Sequence, residues 1–186
     1  MISRALGAGL LAVLLAGCAS VHIAPRDTEP FDLLGRVLAT YSGGSVTANV
    51  RWEHGPARDE IWLMTPTGQT LAYIVDTPQG VTLTRADREV HRAQSVEALT
   101  RQALGWPLPL SQLQYWIRGM PAPGAPAAEI ERDAGKRLTA FTQNEWRVAL
   151  TYNEDGEQAG RVRRVDLADG PNRIRFVVDT WRGAGG

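Results

Sequence analysis

Cys18 is the one thiol among 186 residues, and what surrounds it decides what its sulfur can do. A single cysteine closes no internal disulfide and builds no Cys-rich zinc centre. The other groups suited to chemistry are three histidines and scattered carboxylates. His22, His54 and His91 fall in no HxxxH or HExxH spacing, so no three-ligand zinc set is visible. Asp59 and Glu60, Asp76, Asp87 and Glu89 are dispersed. Glu129, Glu131 and Asp133 sit beside Arg132, Lys136 and Arg137, as in a solvated loop. There is no GxSxG elbow and no P-loop. These residues point away from an enzyme and call for no metal or cofactor.

The chemistry of Cys18 follows from the segment before it. Residues 1–4 are a short basic start, residues 5–16 an apolar run broken only by Gly7 and Gly9, and Gly17 precedes the cysteine. That is the n-region, h-region and small-residue cleavage site of a secretory signal. As a helix the run reaches only about 18 Å, short of the roughly 30 Å hydrocarbon core. Residues 1–17 therefore read as a signal peptide and not as a lasting membrane span. Leu15-Ala16-Gly17-Cys18 resembles the bacterial lipobox. The resemblance implies a diacylglyceryl group on the thiol, cleavage before Cys18 and acylation of the new amino group. Several chains hold firmly where one holds marginally. Residue 19 is Ala and not Asp. By resemblance to the sorting rule of enteric bacteria, that places the anchor in the outer membrane, facing the periplasm.

The elements come next. Twenty Lys and Arg balance twenty Asp and Glu, which argues against a nucleic-acid partner. The length and an apolar fraction of 44% suit one globular domain with a real core. Residues 18–30 read as the lipidated N-terminus and tether, residues 31–182 as the domain, and 183–186 as a frayed tail. From Phe31 onward, short apolar runs with turn formers at eight- to twelve-residue spacing predict antiparallel strands. They are expected over 31–41, 45–54, 60–65, 70–76, 80–85 and 89–93, then 137–143, 145–152, 161–166 and 173–181. Between the two sets, Ser95 caps a helix running to Leu104, and a second helix begins at Ser111 and puts Leu113, Trp116 and Ile117 on one face. Residues 120–128 read as a Pro/Ala/Gly loop.

Several stretches, in order, resemble the LolB family of outer-membrane lipoprotein receptors. They are Phe31-Asp32-Leu33-Leu34-Gly35-Arg36-Val37 with Gly44 to Trp52, then Ile61-Trp62-Leu63-Met64-Thr65-Pro66-Thr67-Gly68, and then Leu104-Gly105-Trp106-Pro107-Leu108-Pro109-Leu110 through Pro121. Gly135-Lys136-Arg137-Leu138, Asn144-Glu145-Trp146 and Asp179-Thr180-Trp181 follow. The resemblance implies a mainly β, single-domain, incomplete antiparallel β-barrel of about eleven strands, its concave side covered by helices over an apolar cavity. It implies a receptor that takes acylated lipoprotein cargo from the periplasmic carrier LolA and inserts it into the outer membrane. Its own hold on the lipid is the triacylated Cys18, and a monomer is expected.

For the cavity wall the candidates are Trp52, Ile61, Leu63, Leu71, Tyr73, Leu113, Trp116, Ile117, Trp146 and Phe176. Residues 61–64 and 71–75 are apolar at both parities, so parity alone leaves open which member of each pair faces inward. The turn Thr65-Pro66-Thr67-Gly68 matches a family loop that presents an exposed leucine to the bilayer, and here Thr67 stands in that place. A lipid-anchored assembly module that binds proteins through strand edges is the competing reading. A hydrolase has only the size of the chain in its favour.

Overall fold

Along β1 (Phe31–Tyr41), Phe31, Leu33, Gly35 and Ala39 are buried, whereas Arg36, Leu38 and Thr40 are exposed. The computed structural model, which describes residues 29–104 and 107–182, turns that alternation into one inner and one outer face. β2 (Gly44–His54), β3 (Asp59–Met64), β4 (Thr70–Thr77), β5 (Gly80–Arg85) and β6 (Val90–Ala93) follow as an antiparallel meander leading away from β1. The chain then crosses through α1 (Val96–Leu104) and α2 (Leu110–Trp116). It returns as β7 (Ala128–Arg132), β8 (Leu138–Gln143), β9 (Trp146–Tyr152), β10 (Val162–Asp169) and β11 (Asn172–Arg182). β11 pairs with β1, so the sheet runs β6-β5-β4-β3-β2-β1-β11-β10-β9-β8-β7. The outermost strands, β6 and β7, are not paired with each other, which leaves the barrel incomplete. The α1–α2 connection carries the chain from one edge of the sheet to the other.

The first and last strands meet in the middle of the sheet, and Gly35 makes their approach possible. The β1–β11 register slips between Leu34 and Gly35. A Cβ at Gly35 would stand 2.4 Å from the Val177 carbonyl oxygen and 3.1 Å from the Phe176 ring. Gly35→Ala is expected to lower stability by about 2 kcal/mol, the usual scale of overpacking. Urea unfolding reads this directly, and an unchanged midpoint would mean that β11 retreats at no cost.

Helix α1 begins as its sequence predicts, with the Ala98 N–H donating to Ser95 Oγ at 3.1 Å. Val96, Leu99 and Thr100 are buried on α1, and Leu113, Trp116 and Ile117 form the matching stripe at α2. β10 runs on to Asp169, so the turn to β11 is confined to Gly170 and Pro171. One element departs from the sequence reading. Residues 128–132, read as loop, form the edge strand β7 with all five residues exposed. A strand without a buried face leaves no alternation to detect, and its Glu129, Glu131 and Arg132 protect an open edge with charge.

Candidate functional site

The register fixes which side chains face the interior of the curved sheet. Residues directly opposite one another in antiparallel strands share a face. Leu33, Trp52, Ile61, Ile74 and Leu83 are successive partners across β1 to β5 and form one inner row. Gly35, Val50, Leu63 and Ala72 form the next. On the other half, Phe141, Trp146, Val148, Leu167 and Phe176 are buried in the same cluster. The rings meet edge to face: Phe31–Trp52 at 5.2 Å, Trp52–Phe176 at 6.4 Å and Trp116–Phe141 at 6.4 Å between centroids. Val96 and Leu99 of α1, with Leu113, Trp116 and Ile117, belong to this cluster and roof it.

The two helices are tied into one unit. Glu97 accepts hydrogen bonds from the Ser111 N–H (3.1 Å) and hydroxyl (2.6 Å), and Thr100 Oγ1 accepts from the Leu108 N–H at 2.8 Å. This unit is fastened unequally. Gln143 at the end of β8 accepts from Trp116 Nε1 (2.8 Å) and the Ala122 N–H (2.9 Å), and donates to the Ala122 and Ala125 carbonyls, both at 2.7 Å. Against β5 and β6, α1 has no hydrogen bond or ion pair among the described residues and packs through apolar side chains. On that same half of the sheet Leu63, Leu83 and Ala93 are only partly buried. The roof is pinned by hydrogen bonds on the β8 side and held by apolar packing on the β5–β6 side.

A buried polar pair, His54 and Asp59, interrupts the greasy wall. Asp59 Oδ1 accepts from Trp52 Nε1 at 3.0 Å and lies 2.5 Å from His54 Nδ1, with Phe31 stacked on the imidazole at 4.7 Å. The turn at Gly55 to Arg58 brings His54 and Asp59 together, a pairing that scattered titratable residues do not announce. His91 sits on β6, and His22 lies outside the described residues, as do the signal peptide, Cys18 and the terminal tail.

Seven of the ten wall candidates lie in the buried cluster: Trp52, Ile61, Leu113, Trp116, Ile117, Trp146 and Phe176. Leu63 packs against it on the open side. The structure places the remaining two elsewhere. Tyr73 pairs with Trp62 on the outer face, the rings stacked at 5.0 Å, and its hydroxyl donates to Glu60 at 2.8 Å. Leu71 stands where the β3–β4 register slips and is 40% exposed. Their inward places belong to Ile74 and Ala72. Both parities are apolar because Arg51 lies over the Trp62 ring at 5.2 Å and keeps that outer aromatic pair half-covered. Burial, and then the bond to Glu60, push the Tyr73 phenol up. Burial also raises the Glu60 carboxyl, but hydrogen bonds from Arg58 and Tyr73 outweigh it and hold the group below the usual carboxylate range.

The Thr65-Pro66-Thr67-Gly68 turn is tight and polar. The Gly68 N–H donates to the Thr65 carbonyl (2.9 Å), the Gln69 N–H to Thr65 Oγ1 (3.1 Å), and the Thr65 and Thr67 hydroxyls lie 2.8 Å apart. Gly68 takes φ +86°, a conformation that glycine adopts freely. Thr67 is exposed at the tip.

Comparison with known proteins agrees with this architecture. A solved LolA superfamily protein from Nitrosomonas europaea superposes with a TM-score of 0.50 at 6% identity, over 86% of this chain and 88% of its own, and shares the fold. The outer-membrane lipoprotein LolB of Chromobacterium violaceum is 39% identical, over 92% of this chain and 95% of its own length. That of Ralstonia nicotianae is 37% identical, over 96% and 98%. The family model described as "Outer membrane lipoprotein LolB" matches residues 29–181, and with it the chain belongs to the LolB family of outer membrane lipoproteins.

Proposed function

We propose that this protein, held in the outer membrane by acylated Cys18, accepts lipoproteins from the periplasmic carrier LolA in its concave hollow and passes their acyl chains to the bilayer. The observation that carries the reading is the unequal roof. A largely apolar wall is covered by two helices pinned through Gln143 on one side and held by apolar packing alone on the other.

The physics asks for such a device. At about 0.8 kcal/mol per methylene, a sixteen-carbon chain loses on the order of 12 kcal/mol on entering water. Tails must therefore pass from one greasy surface to another without wetting. In the closed state the hollow is filled by its own side chains, with Trp116 and Ile117 at 0% exposure. A tail enters by replacing the contacts of α1 with the β5–β6 wall. That exchange is apolar for apolar, so its net free energy is small and no nucleotide is needed.

The decisive experiment mixes labelled, acylated lipoprotein on its carrier with the lipid-free chain beginning at Ala19, which keeps every strand and helix of the fold. The label is expected to move to this protein without added energy source. Cargo that stays on the carrier, or that binds equally well without its acyl chains, would contradict the receptor reading and favour the assembly module.

The polar turn gives a further expectation. Burying a leucine side chain in a bilayer contributes about 2 kcal/mol, which threonine does not. Thr67→Leu in the lipid-free chain is expected to raise lipoprotein insertion into liposomes severalfold. No gain would show that this turn takes no part in delivery.

A further inference from the structure

A cavity of about 230 Å³ opens where β1 begins, α2 ends and β10 and β11 meet. Its apolar walls are Phe31, Ile117, Val162 and Trp181, and Arg118 and Arg161 stand in its lining. The two guanidiniums are held by rings: Arg118 lies 5.3 Å from the Tyr115 centroid and Arg161 5.5 Å from that of Trp181. Trp181 is itself fixed, its Nε1–H donating to the Val162 carbonyl at 3.1 Å.

The edges of the two guanidiniums are used differently. Arg118 donates to the Gln114 carbonyl at 2.9 Å and to the Glu29 carbonyl at 3.5 Å. Arg161 has no hydrogen-bond or ion-pair partner for its side chain among the described residues. Stacking occupies the face of a guanidinium and leaves its N–H fork free, the geometry that receives two oxygens of one anion. Other exposed arginines are paired, Arg36 with Asp179, Arg147 with Glu129 and Glu131, and Arg175 with Asp166, whereas Arg85, Arg88, Arg92 and Arg101, remote from this corner in the fold, have no side-chain partner among the described residues. Arg163 and Arg182, exposed on β10 and β11, also have no partner among the described residues but are not part of the lining. Glu29 is the one carboxylate in the lining.

From this geometry we infer that the cavity is a binding site for the phosphate headgroup of an anionic phospholipid. The phosphate sits on the Arg161 fork, and the first methylenes lie against Phe31, Val162 and Trp181 under the exposed lip residue Met120. The choice of a lipid among phosphates rests on the membrane-anchored reading. Cys18 is eleven residues before Glu29, a span of at most about 38 Å, so the cavity stays within reach of the bilayer surface. Occupied, the site would turn this end of the domain toward the membrane.

The test uses the lipid-free chain from Ala19 and no cargo or carrier, so its outcome is separate from that of the receptor reading. A monomeric short-chain phosphatidylglycerol is titrated while the indole N–H resonance of Trp181, identified by its loss in Trp181→Phe, is followed. A saturable shift is expected. Arg161→Gln should weaken it at least about fivefold, the effect of one arginine near an anionic surface. Met120→Glu, at an exposed position outside the core, should weaken it similarly and serves if Arg161→Gln disturbs the fold. Inorganic phosphate should compete only at far higher concentration. The inference is overturned by equal affinity in wild type and variants. It is equally overturned by equal binding of a short-chain diacylglycerol without phosphate, or by inorganic phosphate binding as tightly as the lipid.

Discussion

Leu83→Glu is expected to reduce the acylated lipoprotein held by this protein about a hundredfold, and Leu63→Glu to act alike. Both leucines lie on the inner rows of the sheet, on the side where α1 is held by apolar packing, and both are only partly buried. In the closed protein a glutamate there can still turn its carboxylate toward water, so the fold should persist. With an acyl chain laid along the wall it cannot. Removing water from a carboxylate without a partner costs several kcal/mol, and about 3 kcal/mol is already two decades in affinity. Retention of cargo after mixing with loaded carrier measures the effect, with thermal melts of the same samples as the check on folding. Wild-type retention in a folded Leu83→Glu variant would mean that tails do not touch this wall. A polar change on the outer face, such as Val75→Thr, should leave retention unchanged.

The second large effect is on the side of the roof pinned through Gln143. Gln143 is 1% exposed and its amide makes four hydrogen bonds, two accepted and two donated. Leucine fills a similar volume but satisfies none of them. Trp116 Nε1, the Ala122 N–H and the Ala122 and Ala125 carbonyls would then be buried without partners, at roughly 1–3 kcal/mol each before relaxation. Allowing for relaxation, Gln143→Leu should cost about 4 kcal/mol. For a domain of this size that lowers the melting temperature by roughly 10–15 °C. Gln143→Glu keeps the acceptor and loses the two amide donors, so it should also be destabilised and should worsen as pH rises and the carboxyl ionises. A melting temperature within a few degrees of wild type for Gln143→Leu would mean that the segment after α2 is held by its apolar contacts alone.

These two expectations divide the roof by the physics of its edges. The β8 side is held by directional bonds that are costly to break and have no substitute. The β5–β6 side is held by contacts that an alkyl chain reproduces. The receptor reading needs that division, because a roof pinned on both sides would exclude cargo and one loose on both sides would have no closed state.

The strand pattern was legible in the sequence because each hairpin carries its own evidence. Val46, Ala48, Val50 and Trp52 alternate with polar residues, and pairs such as Ser42-Gly43 end the runs. Ser95 announced α1, and the lipobox announced an anchor at Cys18. β7 was illegible because all five of its residues face water, so the forces that select a buried face never acted on its sequence. Gln143 gave no signal at all. A glutamine before an Asn-Glu turn looks like any surface residue until α2 is laid over it.

What the sequence determined by itself was therefore local: where strands and helices lie, where the chain turns, and that a lipobox-like segment precedes a mainly β domain. What only the tertiary structure decided was facing and pairing. Ile74 and not Tyr73 takes the buried inner face because β4 is registered on β3, and β3 on β2, so that Ile74, Ile61 and Trp52 share a face. Both parities of β4 are apolar, so local hydropathy is degenerate there. The choice is made by register, which follows from strand pairing outside the segment itself. Asp59 meets His54, and Gln143 meets Trp116, for the same reason: hydrogen bonds between residues distant in sequence become favourable only once the surrounding surface has been taken from water.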